Sequence, residues 1–282
     1  MAVNKTIGGR PFYDVVFVVL VYRNTEVLKG FFDSLSLSFT YKVIVVNSFF
    51  DEASEKDCRL IAEDNFADFI SVPNKGYGTG NNVGCQYAQD HYQFSYLIIS
   101  NSDIEILNLC YLQQLTDLRA VYAPDIILRN GHHQNPNIPI ELFLYKKLLD
   151  ISYKYEIGYL KTMALVINRL CRELFVGYLK LIKSRKARIF SGHGSFIVMT
   201  YYALKSLMPV FHEDMFLYNE ELYFAYRCKM QKIPIFYVPL LTILHLEGAS
   251  STPESDDWEN HKKSYQVLTS WLDRSYKGKS VF

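Results

Sequence analysis

The sequence predicts an α/β protein built on a mostly parallel sheet with helices on both faces, and three observations carry that prediction. Short apolar runs recur at Val15–Val21, Val43–Val46, Phe69–Val72 and Tyr96–Ile99. They are rich in β-branched residues and apolar along nearly their whole length, as strands covered on both faces must be. Helical stretches separate them, near Thr25–Ser36, Glu52–Asn65 and Gly80–Tyr92, and strand–helix alternation at this spacing builds parallel sheets. With 282 residues and 49% hydrophobic composition, the chain is long enough for one large domain with a substantial core.

Ligands of such sheets bind beyond the carboxyl ends of the strands. Those ends are polar here: Tyr22-Arg23-Asn24, Asn47-Ser48, Pro73-Asn74 and Ser100-Asn101-Ser102-Asp103. The alternation breaks at 138–188, a mostly helical stretch, so 138–190 reads as an insertion between 1–137 and 191–250. Within it, Lys146 to Arg188 holds eleven Lys/Arg and three Asp/Glu. On a helical wheel Leu160, Met163, Ala164, Ile167, Leu170, Leu174, Tyr178 and Leu181 share one face, with Lys161, Arg169, Arg172, Lys180 and Lys183 opposite. Such a basic amphipathic stretch suits either an anionic membrane surface or a helix packed on the core with solvated lysines. Ser195–Met199 and Ile235–Val238 read as further strands, Asn219–Gln231 as a helix, and 251–282 as a tail with a helix around Trp258–Leu272.

The formal charge of +1 excludes a chain-wide basic field for nucleic acid. Five cysteines without a C-x-x-C pair argue against a disulfide framework or zinc ribbon and for a reducing, cytoplasmic setting. No apolar run near the amino terminus reads as a signal peptide or is long enough to span a bilayer, so the expectation is a soluble or peripheral protein.

Four motifs carry chemistry. Asn101-Ser102-Asp103 follows a buried strand, where a carboxylate on a sharp turn suits Mg2+ or Mn2+, though Asn-Ser-Asp is also ordinary turn chemistry. Pro73 to Gly84 holds four glycines, including Gly76 and Gly80, and the asparagines Asn74, Asn81 and Asn82. It lets backbone approach a phosphate or nucleoside closely, yet lacks the Gly-Lys-Ser/Thr of a Walker loop. Phe211 to Arg227 gathers Glu213, Asp214, Glu220 and Glu221 within nine residues. The last two open a helix, either as an acid–base pair or as favourable charges at its positive end. His245, after the last strand, is a candidate metal ligand.

The order and spacing of these motifs resemble family 2 glycosyltransferases, in particular the rhamnosyltransferase-like group that builds bacterial O-antigens and capsules. The match covers most of residues 14–250. VVLVYRN resembles the family's first strand, with Tyr22 and Asn24, and VIVVNS its nucleobase-contacting strand, with Asn47 where the family prefers Asp. Asn74 to Gly84 matches the N-x-G-x-x-x-G-N-N-x-G loop, and Asn101-Ser102-Asp103 the metal-binding turn. FHEDMFLYNEELYFAYR is similar to the family's acidic signature. By that match Glu221 stands for the general-base Asp, Glu220 for the acid before it, Tyr223 for a second acid on the helix and Arg227 for the closing Arg.

The resemblance implies a GT-A fold and an inverting transfer of rhamnose or a hexose, from dTDP-rhamnose or a UDP-hexose, to a hydroxyl of a lipid-linked oligosaccharide. It implies Mg2+ or Mn2+ held by Asp103 and His245, and Glu221, Glu220 and Asp214 as the catalytic acids. Tyr22, Asn24, Asn47, Asn74, Gly76, Gly80, Asn81, Asn82, Asn101 and Arg227 would bind the nucleotide sugar. Two alternatives stay open: a non-catalytic scaffold of a polysaccharide assembly complex, and a sugar-nucleotide nucleotidyltransferase. The aromatic-rich composition also permits a homodimer.

Overall fold

A computed structural model describes residues 6–247 and 257–276. Its centre is a twisted sheet of ten strands. In chain order these are β1 (Thr6–Ile7), β2 (Arg10–Val21), β3 (Tyr41–Phe49), β4 (Asp68–Pro73), β5 (Gln93–Asn101), β6 (Ile104–Asn108), β7 (Val121–Leu128), β8 (Ala187–Ile189), β9 (Phe196–Thr200) and β10 (Ile235–His245). Their spatial order is β4-β3-β2-β5-β9-β7-β10-β6, with β1 on β2 and β8 on β10. The first four are mutually parallel, as expected. β9 is antiparallel to both neighbours, which makes β7 and β10 run with β5 again.

The helices are α1 (Glu26–Asp33), α2 (Glu52–Asp64), α3 (Tyr77–His91), α4 (Phe143–Tyr155), α5 (Gly158–Leu181), α6 (Tyr201–Leu207), α7 (Glu220–Met230) and α8 (Asp257–Tyr276). Successive residues of β2 face opposite sides of the sheet. Val16 and Val18 join one apolar cluster with α3, α6 and α7, while Val15, Phe17 and Val19 join another with α1 and α2. Burial on both faces is why these strands show no polar alternation.

Three differences from the sequence expectation bear on the site. β6 and β7 are strands that the apolar-run pattern does not single out, because β6 is a short edge strand and β7 carries Pro124 and Asp125. The insertion is more than helical: Ala187–Ile189 pairs with β10, and Ile138 bridges to Ser191, so 138–190 is anchored at both of its ends. α3 starts at Tyr77 rather than near Gly80, which places Gly80, Asn81 and Asn82 inside the helix.

A third apolar cluster binds α4 and α8 to the residues around α7. There Tyr265 donates to Asp150 at 2.7 Å, Ser264 donates to the Leu217 carbonyl at 2.8 Å, and Tyr223 meets Trp271 edge-on at 4.6 Å. α8 therefore braces the segment that leads into α7. No helix among the described residues is long and apolar enough to cross a membrane.

Candidate active site at the carboxyl edge of the sheet

The ends of β2, β3, β4, β5 and β10 share one edge, and antiparallel β9 starts there. Asn101, ending β5, donates its N–H to the Ser195 carbonyl at 2.9 Å. Asp103 lies two residues beyond β5. The register that pairs His245 with Ile104 brings the last residue of β10 beside it. The result is a buried pair, His245 Nε2 to Asp103 Oδ1 at 3.3 Å, with the Leu246 N–H donating to the Asp103 carbonyl at 2.9 Å.

The orientation of that pair follows from its neighbours. His245 Nδ1 lies 2.7 Å from Gln134 Oε1, and Gln134 Nε2 donates to Glu247 Oε1 at 2.7 Å, which sets the direction of the amide. An oxygen facing Nδ1 places a proton there, and Nε2 is the nitrogen that faces Asp103. Asp103 Oδ1 has no hydrogen-bond partner despite its burial. A buried carboxylate oxygen and an imidazole nitrogen facing one another are groups that a divalent cation can bridge. Among the described residues no group of three or more His, Cys, Asp or Glu is assembled for a metal; Asp103 and His245 are two such residues that meet at this edge. One carboxylate and one imidazole are donors that a divalent ion such as Mg2+ or Mn2+ can accept.

The second cluster opens α7. Tyr218 and Asn219 both take positive φ, 73° and 65°, turning the chain sharply so that Glu220 and Glu221 point inward. Glu220 is buried, and its Oε1 has no partner. Burial, then the adjacent Glu221, push its carboxyl up to about 8. Glu221 is raised too, by burial above all, against the pull of its own N–H and that of Gly194. Both carboxyls are thus held toward their protonated forms, as burial and a neighbouring like charge require.

Gly194 ties the two clusters together. A Cβ at that position would lie 3.0 Å from Glu221 Oε1, so glycine is what lets the carboxylate settle on this backbone. Tyr77 of α3 donates to the Gly194 carbonyl at 2.7 Å. One residue earlier, His193 donates its backbone N–H to Asn135 at 2.7 Å and stands edge-on to His245, with ring centroids 5.9 Å apart. Its Nδ1 accepts the Ser195 N–H at 3.2 Å. Desolvation first, then His245 and Arg172, press its pKa down to about 3, so it is a neutral imidazole.

The remaining expected residues divide. Asn74 and Gly76 stay in the loop at the edge; the Asn74 side chain accepts the Gly76 N–H at 3.2 Å, and Gly76 takes φ 99°. Tyr22 packs edge-on against Phe50 at 5.8 Å, and Arg23, between Tyr22 and Asn24, lays its guanidinium 4.3 Å from the Phe50 ring. Asn24 accepts the Glu26 N–H at 3.1 Å at the start of α1. Asn47 is buried and donates to Ser71 at 3.2 Å, linking β3 to β4.

Others are committed to the scaffold. A Cβ on Gly80 would lie 2.6 Å from Leu20 Cδ1, and one on Gly84 2.3 Å from Val18 Cγ1. These glycines let α3 lie close on β2. Asn82 donates to the Phe211 carbonyl at 2.9 Å and accepts the Phe211 N–H at 3.0 Å, a clamp between α3 and the 211–219 loop. Asn81 donates to the Tyr77 carbonyl at 3.0 Å, leaving its Oδ1 buried without a partner.

Arg227 was expected on the donor side. Its guanidinium donates to the carbonyls of Leu207 and Pro209 and to the Tyr223 hydroxyl, at 3.2 Å or less, so it braces α7 from below. Asp214 was expected with the acids, but its side chain is 81% exposed beside His212, in solvent rather than in the buried pair. Gly248-Ala249-Ser250-Ser251 lies outside the described residues.

Gln134, Asn135, His193, Tyr77 and Arg23 are the site residues that sequence reasoning passes over. Arg23 and Tyr77 had a signal in their place in a polar strand end and in the glycine-rich loop, and His193 in the small-residue run Ser191 to Ser195.

The fold places the chain in the GT-A architecture that glycosyltransferases use. It superposes, over 95% of its length, on GalNAc-T7 solved with UDP, GalNAc and Mn2+, at TM-score 0.61 and 12% identity. Over the same share it superposes on the mannosyltransferase PcManGT of Pyrobaculum calidifontis, solved with GDP-Man and Mn2+, at TM-score 0.55 and 13% identity. It spans 52% of the first chain and 65% of the second. In sequence it is 21% identical over 278 residues to the low-salt glycan biosynthesis hexosyltransferase Agl10 of Haloferax volcanii, covering 95% of this chain and 76% of that protein. No family model matches the chain.

Proposed function

We propose that this protein is an inverting glycosyltransferase that moves a hexose-type sugar from a nucleotide-diphosphate donor to an acceptor hydroxyl. The observation that supports it most is the pairing of two clusters through one glycine. Asp103 and His245 meet at 3.3 Å, Glu221 rests on Gly194, and the His193 ring lies 5.9 Å from that of His245. One cluster suits a diphosphate-bound cation and the other a base, as a single displacement requires.

Asp103 and His245 would hold the divalent ion, which when bound neutralises the charge that develops on the departing nucleoside diphosphate. Glu221 accepts the acceptor's hydroxyl proton as that oxygen forms its bond to the anomeric carbon and the carbon–phosphate-oxygen bond breaks. Burial strengthens it as a base. Glu220, pushed up to about 8, keeps its own proton near neutral pH, which removes a like charge from beside Glu221. Tyr223, standing where the resemblance expects a second acid, is a buried core residue whose hydroxyl accepts from Arg227 at 2.9 Å. Glu221 is thus the base without help from that position. The Tyr22–Arg23–Phe50 platform and the Asn74–Gly76 loop are the natural walls for the nucleotide.

The finer reading is a family 2, rhamnosyltransferase-like enzyme acting on a lipid-linked precursor of O-antigen or capsule. It rests on the motif resemblance; the hexosyltransferase likeness is consistent with rhamnose, a 6-deoxyhexose, and with other hexoses alike. The test is a calorimetric titration of UDP-, GDP- and dTDP-sugars with Mn2+ and with EDTA, on wild type, Asp103→Ala and Glu221→Gln. One donor should bind only with metal, lose binding in Asp103→Ala, and keep binding but lose transfer in Glu221→Gln. Absence of donor binding in both conditions overturns the proposal and moves a scaffold role ahead.

A further inference from the structure

α5 packs on the body through Ala164, Asn168 and Leu179, which are buried. The face opposite them is apolar and open. Tyr159, Met163, Val166, Leu170, Leu174 and Leu181 lie between 44% and 81% exposed. At 100° per residue they fall in a single stripe along a helix of 24 residues, about 36 Å long. This differs from the sequence expectation, in which Leu160, Ala164 and Ile167 shared the face of Leu170 and Leu174; the structure buries Ala164 and leaves Leu170 and Leu174 in solvent. A stripe of this size on a protein surface marks an interaction.

Charge says with what. Arg169 and Lys180 line one edge of the stripe, and Lys183 and Arg185 follow its carboxyl end, all exposed. Lys146 to Arg188 holds eleven Lys/Arg against three Asp/Glu, which leaves nineteen against twenty-six for the rest of the chain. The molecule is therefore polarised, positive around the open helix and negative elsewhere. Two copies meeting through α5 would press like charges together, which disfavours a second copy as the occupant. An anionic bilayer answers both features: headgroups meet the cations, and the apolar stripe enters the headgroup–acyl boundary by about 5–10 Å.

We infer that the outer face of α5 docks the protein on an anionic membrane surface, lying in the interface rather than crossing it. The contact is independent of the transfer chemistry, because vesicle binding needs neither donor nor acceptor. The experiment is vesicle flotation of the full chain, with phosphatidylcholine alone and with added phosphatidylglycerol, at low and high salt. Wild type should float with the anionic vesicles only, and less at high salt. The Leu170→Glu/Leu174→Glu double variant, whose changes are at exposed positions, should lose roughly tenfold or more in partitioning while keeping its melting temperature. Arg169→Glu/Lys180→Glu keeps the apolar stripe and should lose the anionic preference. Failure to bind anionic vesicles overturns the inference. So does equal binding to neutral ones, or a dimer in light scattering that the Leu170→Glu/Leu174→Glu variant splits.

Discussion

Replacing Glu220 by glutamine removes a titrating carboxyl from a site only 4% exposed, while keeping its size and one carbonyl oxygen. In the folded protein the carboxyl is pushed up to about 8, from an ordinary value of 4.5. Between those two pH values the folded state binds more protons than the unfolded one, so folding stability falls as pH rises. The contribution is fully present below 4.5 and is lost as pH climbs through 8. At about 1.36 kcal/mol per pH unit the upper bound of the loss is roughly 5 kcal/mol. Because Glu221 shares the burden, a loss of about 2–3 kcal/mol is the working figure. Glutamine cannot ionise, so the variant escapes this loss. Urea unfolding of both proteins at pH 5 and pH 8 reads the effect, with the response of the coupled Glu221 included in the difference. The two should agree within about 1 kcal/mol at pH 5, with the variant the more stable by about 2–3 kcal/mol at pH 8. Equal slopes with pH, or a variant less stable at pH 8, would refute the argument that burial keeps Glu220 protonated.

Two further predictions rest on the same edge. Gln134→Leu removes the oxygen that holds the proton on His245 Nδ1, and should weaken Mn2+ binding by roughly 10- to 100-fold. Gln134→Glu with Glu247→Gln reverses the pair and should restore it; calorimetry with Mn2+ and the nitrogen chemical shifts of His245 read both, and an unchanged tautomer in Gln134→Leu would contradict the scheme. Gly76→Ala puts a Cβ 2.3 Å from the Phe216 carbonyl oxygen at φ 99°, so neither backbone can yield. A loss of about 3 kcal/mol in denaturant unfolding is expected, and a loss under 1 kcal/mol would show that the loop rearranges.

Much of the nucleotide half is legible in the sequence because its signals are local. Val15–Val21 and Val43–Val46 declare buried strands by composition, and the polar residues that follow them must lie at one edge once the strands are parallel. Asp103 is likewise marked by its position on a turn after an apolar run. The roles of Asn82 and Arg227 are not legible, since an amide or guanidinium reads alike whether it meets a ligand or a backbone carbonyl. The structure gives these two to Phe211 and to Leu207 and Pro209.

By itself the sequence determined the strand–helix order apart from β1, β6, β7 and β8, the acidic entry to α7 and the candidacy of Asp103, His245, Glu220 and Glu221. Tertiary structure alone decided their company. The β10–β6 register sets His245 against Asp103, and Gln134, 111 residues away from His245, fixes which nitrogen faces the carboxylate. Antiparallel β9 carries Gly194 to Glu221, and burial there makes one glutamate an acid. Which face of α5 stays open was also decided in space. The apolar positions of that helix exceed what one packed face can take, and only the shape of the body beneath selects which of them it covers.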